Sequence, residues 1–250
     1  MNHLPKLTVY YWIMMLLCTT MGELIGNLIS RNLELGYTKG AVINVVIFAF
    51  VVSLFVTLKL FNDIFYWLLI LVGNIGGTNL ADWVTLEPLA NDITWGFLAP
   101  LQLGTVSGSL AVMGALILVL IVHYGAAKIS ARETVFVMVT YWSAILFSST
   151  FGTTSGDFIT NDTPLGALGG SLLLLSLLAI TFLLFKKNIV TKPIAYWSAL
   201  VLLHPVGATI GNWVSKPIGL DLGNVWTNVF MIALFFSFFL IGEKRNRIYN

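Results

Sequence analysis

The chain has 250 residues, 58% of them hydrophobic and 10% charged, with a mean hydropathy of +0.90. A soluble domain carries roughly 25% charged residues and cannot hide this much apolar surface, so the composition points to an integral membrane protein. The net charge of +2 comes without any basic run, which argues against a nucleic-acid partner.

Eight apolar stretches lie at about 8–30, 40–60, 64–85, 104–124, 134–157, 167–185, 193–215 and 223–242. Each is long enough to cross ~30 Å of hydrocarbon as a helix. The expected fold is all-α, a polytopic protein whose residues 1–250 form a single transmembrane domain. The first stretch carries Glu23, lacks a small-residue cleavage pattern and matches three internal stretches. It is expected to belong to the fold and not to a leader. Cys18 lies inside it and, as the single cysteine, forms no intramolecular disulfide. Between the third and fourth stretches runs a long connection, 86–103, with Glu87, Pro88, Asp92, Trp95 and Pro100. Long loops are often functional lids, and a plain insertion is the competing reading.

The odd stretches share one pattern. Tyr11-Trp12, Tyr66-Trp67, Tyr141-Trp142 and Tyr196-Trp197 open it, and a glycine follows ten residues after each Trp: Gly22, Gly77, Gly152, Gly207. Four positions on stands Gly26, Ala81, Gly156 or Gly211, then Asn27, Asp82, Asp157 or Asn212, then Ser30, Thr85, Thr160 or Ser215. Such self-similarity marks internal repeats, here 8–62, 63–127, 132–187 and 193–243. Two spans per repeat keep every repeat in one orientation. The expectation is four parallel two-helix repeats with pseudo-fourfold symmetry, or twofold symmetry of halves, about the membrane normal. The pairs Gly36/Gly40, Gly104/Gly108, Gly166/Gly170 and Gly219/Gly223 introduce the even stretches, and small-xxx-small spacing suits close helix packing.

Orientation follows from Lys and Arg near the span ends. Lys6, Lys59, Lys128, Arg132, Lys186, Lys187, Lys192, Lys244, Arg245 and Arg247 fall on one side, against Arg31, Lys39 and Lys216 on the other. Both termini are therefore expected in the cytoplasm, with the Tyr-Trp pairs as an interfacial aromatic belt in preference to a cation cage.

Seven, eleven and fifteen residues after each Trp stand Thr19, Glu23, Asn27; Asn74, Thr78, Asp82; Ser149, Thr153, Asp157; and His204, Ala208, Asn212. Steps of four keep one helix face, so these form four stripes, polar everywhere but Ala208. Polar stripes in hydrocarbon are expected to face one another. Glu23, Asp82 and Asp157 have no Lys or Arg within the predicted spans, and acids without basic partners suggest a cation or a proton. The competing reading is that they only glue helices together. His204 precedes Pro205, where a bend is expected to free a backbone carbonyl. It could serve a proton relay or a metal together with Glu23, Asp82 and Asp157, although no Cys/His cluster supports a metal. Neither Ser148 nor Ser149 has a base beside it in the sequence.

The Tyr11-Trp12 start with Thr19 to Glu23, the Gly152 to Asp157 run, and Gly207 to Asn212 with Lys216-Pro217 resemble a bacterial integral-membrane family of four tandem two-span repeats of unknown function, each with a characteristic Trp. The resemblance implies the fold plan and no settled activity. The second repeat departs most, with Ala81 at the second glycine position. The resemblance implies the bacterial inner membrane, and the residues favour a transporter or permeation pathway for a metal ion or small amine, possible proton coupling through Glu23 included. Its pathway would use Glu23, Asn27, Asn74, Thr78, Asp82, Thr153, Asp157, His204 and Asn212. No cofactor is implied. The expected partners are the lipid bilayer and a small cationic substrate, with homo-oligomerisation left open. The alternatives are an intramembrane enzyme using the same acids and His204, or a structural or signalling membrane protein.

Overall fold

A computed structural model describes residues 7–93, 96, 99–130, 134–217 and 219–248, with residues 243–248 as backbone only. Trp95, Lys6 and Arg132 lie outside the described residues, as do the side chains of Lys244, Arg245 and Arg247. The described residues are helical, without a strand. In chain order the helices are α1 (Val9–Asn27, continued by a π-helical turn Leu28–Asn32), α2 (Tyr37–Thr57), α3 (Asp63–Thr85), α4 (Gly104–Ile129), α5 (Val135–Asp162), α6 (Gly166–Lys186), α7 (Lys192–Ser215) and α8 (Gly223–Ile248). Among the described residues eight helices are long and apolar enough to cross a membrane.

Helix starts follow local chemistry. Thr8, Asn62 and Thr134 cap α1, α3 and α5, each side chain accepting from the backbone N–H three residues on. Pro193 begins α7, where a missing N–H costs nothing. The even helices start differently. Gly36, Gly104, Gly166 and Gly223 all have positive φ, between 61° and 83°. Each follows a leucine, and a glycine is the residue that turns the chain this way without a Cβ clash. The first glycine of each expected packing pair therefore makes a turn; in the fourth pair it is the second, Gly223. Packing falls to Gly40, which faces Asn79 of the odd helix that follows it, and to Gly108 and Gly170, which face Thr85 and Ile159 of the odd helices before them.

The odd helices close a ring, α1 on α3, α3 on α5, α5 on α7 and α7 back on α1. Each even helix packs mainly on the odd helix that follows it: α2 on α3, α4 on α5, α6 on α7, and α8 on α1. Successive helix pairs thus interlock, because the even helix of one pair covers the odd helix of the next. The apolar windows of the odd helices are 61–72% buried, against 17–39% for the even ones. The even helices present their apolar sides outward, as a lipid-facing wall does.

One contact recurs around the ring. A Cβ placed on Gly22 would collide with Asn74, on Gly77 with Ser149, on Gly152 with His204, and on Gly207 with Thr19. Each glycine of one helix thus receives the residue that stands seven after the Trp of the next. In lipid, where no hydrophobic effect pulls helices together, this close approach supplies the packing energy.

Candidate functional site

The inward faces of the ring carry the stripes. Thr19, Glu23, Asn27, Asn74, Thr78, Asp82, Ser149, Thr153, Asp157, His204 and Asn212 are all at most 5% exposed. Glu23 is the hub. Its Oε1 accepts from Asn27 Nδ2 at 2.8 Å, and its Oε2 accepts from Thr153 Oγ1 at 2.9 Å and Thr78 Oγ1 at 3.3 Å. The Thr78 and Thr153 hydroxyl oxygens stand 3.2 Å apart. On the fourth side, a Cβ on Gly211 of α7 would stand 3.3 Å from Glu23 Cγ. The carboxylate therefore bonds to three of the odd helices, and the stem of the same side chain packs against Gly211 of the fourth.

Toward the Arg31 end lies the next layer. Asn212 Nδ2 donates to Asp157 Oδ1 at 3.0 Å. Both asparagines of this layer spend their N–H groups on an acid. Their Oδ1 atoms, and Asp82 Oδ2, are buried without a hydrogen-bond partner. With its N–H group turned to Glu23, Asn27 has its oxygen left without a donor. Three acceptor oxygens are thus gathered in one layer with no protein donor.

The expectation that the acids lack a basic partner is corrected for Asp82. Arg31 Nη2 lies 3.2 Å from Asp82 Oδ1. Arg31 stands four residues beyond Asn27, on the π-helical turn, so the stripe of α1 runs on into a guanidinium. Lys216 holds the matching position after Asn212. Counting one further step of four would have found both residues; stopping at the apparent span end hid them.

The belt expected for the Tyr-Trp pairs is also corrected. Tyr11, Tyr66, Tyr141 and Tyr196 are at most 8% exposed, and their hydroxyls meet: Tyr11 with Tyr66 at 2.7 Å, Tyr141 with Tyr196 at 2.6 Å, and Tyr11 with Tyr196 at 3.3 Å. A buried phenol needs a polar partner, and here the four hydroxyls bond to one another. Trp67, Trp142 and Trp197 are buried beside them, each stacked edge-on against its neighbouring tyrosine. Between this knot and the polar layers stand Met15, Ile70, Ile145 and Leu200, all fully buried. They lie on the same face, four residues after each tyrosine.

His204 has a neighbour that the sequence did not reveal. Its Nδ1 lies 2.8 Å from Leu200 O and 3.1 Å from Ser148 Oγ. A carbonyl only accepts, so Nδ1 carries the proton and Ser148 accepts from it. Nδ1 is then no base for Ser148, and a nucleophilic serine is not assembled. The opposite nitrogen, Nε2, is buried without a partner. Helix α7 continues through Pro205 to Ser215. Among the described residues no group of three or more His, Cys, Asp or Glu side chains is arranged to hold a metal ion. Glu23, Asp82, Asp157 and His204 therefore do not converge on a shared metal centre.

Asn79 was missed altogether. Its Nδ2 donates to Gly26 O at 2.9 Å and its Oδ1 accepts from Asn44 Nδ2 at 2.8 Å, tying α1, α3 and α2. The matching residue of α7, Thr209, accepts from Ser171 of α6 at 2.8 Å. The column twelve after the Trp, polar at Asn79, Thr154 and Thr209, was the available signal. In the long connection, Asp92 accepts from the N–H groups of Tyr37, Thr38 and Leu89 at 2.9–3.0 Å. That segment caps the start of α2, which Gly36 cannot do with a side chain.

A family model described as a Repeat of Unknown Function (DUF347) matches residues 10–59 and 140–187. Two copies of this repeat are present. Each matched segment holds an odd helix, the even helix after it and one Tyr-Trp pair, so each brings one stripe to the ring. No curated protein and no solved structure matches the chain.

Proposed function

We propose that the chain is a membrane carrier for a small cation, with the path along the axis of the odd helices and proton coupling through Glu23. The observation that carries this reading is the acceptor layer: Asn27 Oδ1, Asp82 Oδ2 and Asn212 Oδ1, buried, close to acids and without donors. Unmet acceptors inside a membrane protein cost several kcal/mol by transfer scales, and a cation or its N–H groups would satisfy them. Helix glue alone does not call for them, since glue is complete once each oxygen has a donor.

The closures support a carrier over an open pore. Glu23 and Thr153 meet across the ring, and the tyrosine knot with its apolar layer shuts the other end. Passage then needs the helices to move, as alternating access does. In this reading the segments opening at Tyr66 and Tyr196 are two further copies of the DUF347 repeat, and the four are arranged about the membrane normal. The Lys and Arg asymmetry favours cytoplasmic termini in a bacterial inner membrane, with the Arg31 end outside. Uptake of rubidium, manganese and methylammonium by proteoliposomes holding the purified chain tests the reading. At least one should enter faster than into empty vesicles; entry of none would refute it.

A further inference from the structure

We infer that the Asp82 carboxylate and the face of Tyr37 form an organic-cation site, suited to a guanidinium or primary ammonium group, which Arg31 occupies as a tethered competitor. The inference deepens the carrier reading by naming the substrate class. Arg31 Cζ lies 5.8 Å from the Tyr37 ring centroid, while Nη2 reaches Asp82 at 3.2 Å. A carboxylate beside an aromatic face is how proteins recognise cations that carry N–H groups or alkyl substituents.

Arg31 fills this site poorly. An Arg–carboxylate pair built to last is commonly bidentate, with two parallel N–H···O bonds. Here one nitrogen meets one oxygen, while Arg31 Nε and Asp82 Oδ2 are both buried without partners. The Arg31 side chain is 33% exposed and Asp82 only 1%, so the guanidinium has a way out that the acid lacks. Arg31 is also carried on the π-helical turn Leu28–Asn32, a form that is rare and often found at functional sites. A free guanidinium could take both Asp82 oxygens and displace the tethered one. The unpartnered Asn27 and Asn212 oxygens belong to the same layer as Asp82. No metal-holding group of side chains competes for this reading among the described residues.

The test is binding of labelled methylguanidinium to the full chain in detergent, with rubidium and manganese flux measured in parallel. Arg31→Ala should bind about ten-fold or more tighter than the wild type. Arg31→Lys, still a tethered cation, should stay near the wild type. Arg31→Ala with Asp82→Asn should lose the gain. If Arg31→Ala does not fold, Arg31→Gln takes its place. Equal binding by wild type and the charge-free variant, or a gain that survives Asp82→Asn, overturns the proposal. Metal flux without methylguanidinium binding leaves the carrier reading standing and removes this one. Binding without flux of any probe keeps the site and removes the carrier.

Discussion

Glu23 and Thr153 stand on opposite helices of the ring, and Thr153 Oγ1 donates to Glu23 Oε2 at 2.9 Å across its centre. Helices that do not pack side by side are thereby joined through a carboxylate. The bond requires all four odd helices to lie close, and the glycine contacts set that distance.

Gly152→Leu should therefore be severe. A Cβ alone would stand 2.8 Å from the His204 backbone carbon, and backbone cannot rotate away. Overpacking costs typically about 1–3 kcal/mol, and the larger Leu should reach or exceed this. Gly114→Leu is the control, since nothing lies within 4 Å of its Cβ position. Thermal unfolding in one detergent should show a marked loss for the first and little for the second. Equal melting temperatures would contradict the ring packing.

Asp92→Ala should remove the cap of α2. Its carboxylate accepts from Tyr37 N and Thr38 N, and loss of such a cap costs about 1 kcal/mol. The melting temperature should fall by a few degrees, and hydrogen exchange should speed up at the first turn of α2. Exchange unchanged at Tyr37 and Thr38 would show that the cap is not formed.

Tyr196→Phe should break the tyrosine knot, since Tyr196 bonds to both Tyr141 and Tyr11. Leaving a buried hydroxyl short of a partner costs about 1–3 kcal/mol. Lower thermal stability without loss of insertion is the expected outcome. A Phe variant as stable as the wild type would return these tyrosines to a plain anchoring role.

The spans and the inward stripes were legible, because steps of four and a shared offset from Trp are strong one-dimensional signals. The interlocking of repeats was not. Nothing along the chain says that α2 packs on α3 more than on α1, since that depends on how far the Gly36 turn throws the chain. The tyrosine knot was misread because an aromatic pair near a span end has the same sequence whether it faces lipid or the axis. Arg31 was missed as a partner of Asp82 because the count stopped at the apparent span end, one step of four short of it. Ser148 meets His204 across 56 residues, a proximity no spacing rule reports.

Topology is open to labelling. Asn91 is exposed, and Cys18 is fully buried, so an impermeant thiol reagent should reach only an introduced Asn91→Cys. Labelling in intact cells is expected. Labelling that needs the membrane opened would invert the proposed orientation.

The account rests most heavily on Glu23, and Glu23→Gln tests it most directly. Glutamine keeps the length, its oxygen can still accept from Thr153 and Thr78, and its N–H can donate to Asn27 once that amide turns over, but it cannot ionise. Flux of the best cation should be measured across pH 5–8 in proteoliposomes, with wild type, Glu23→Gln, and the triple variant carrying also Asp82→Asn and Asp157→Asn. The account predicts that Glu23→Gln folds, inserts and loses either transport or its pH dependence, and that the triple variant also loses cation affinity. Full wild-type flux with an unchanged pH profile in the folded triple variant would make the carboxylates helix glue and contradict the account.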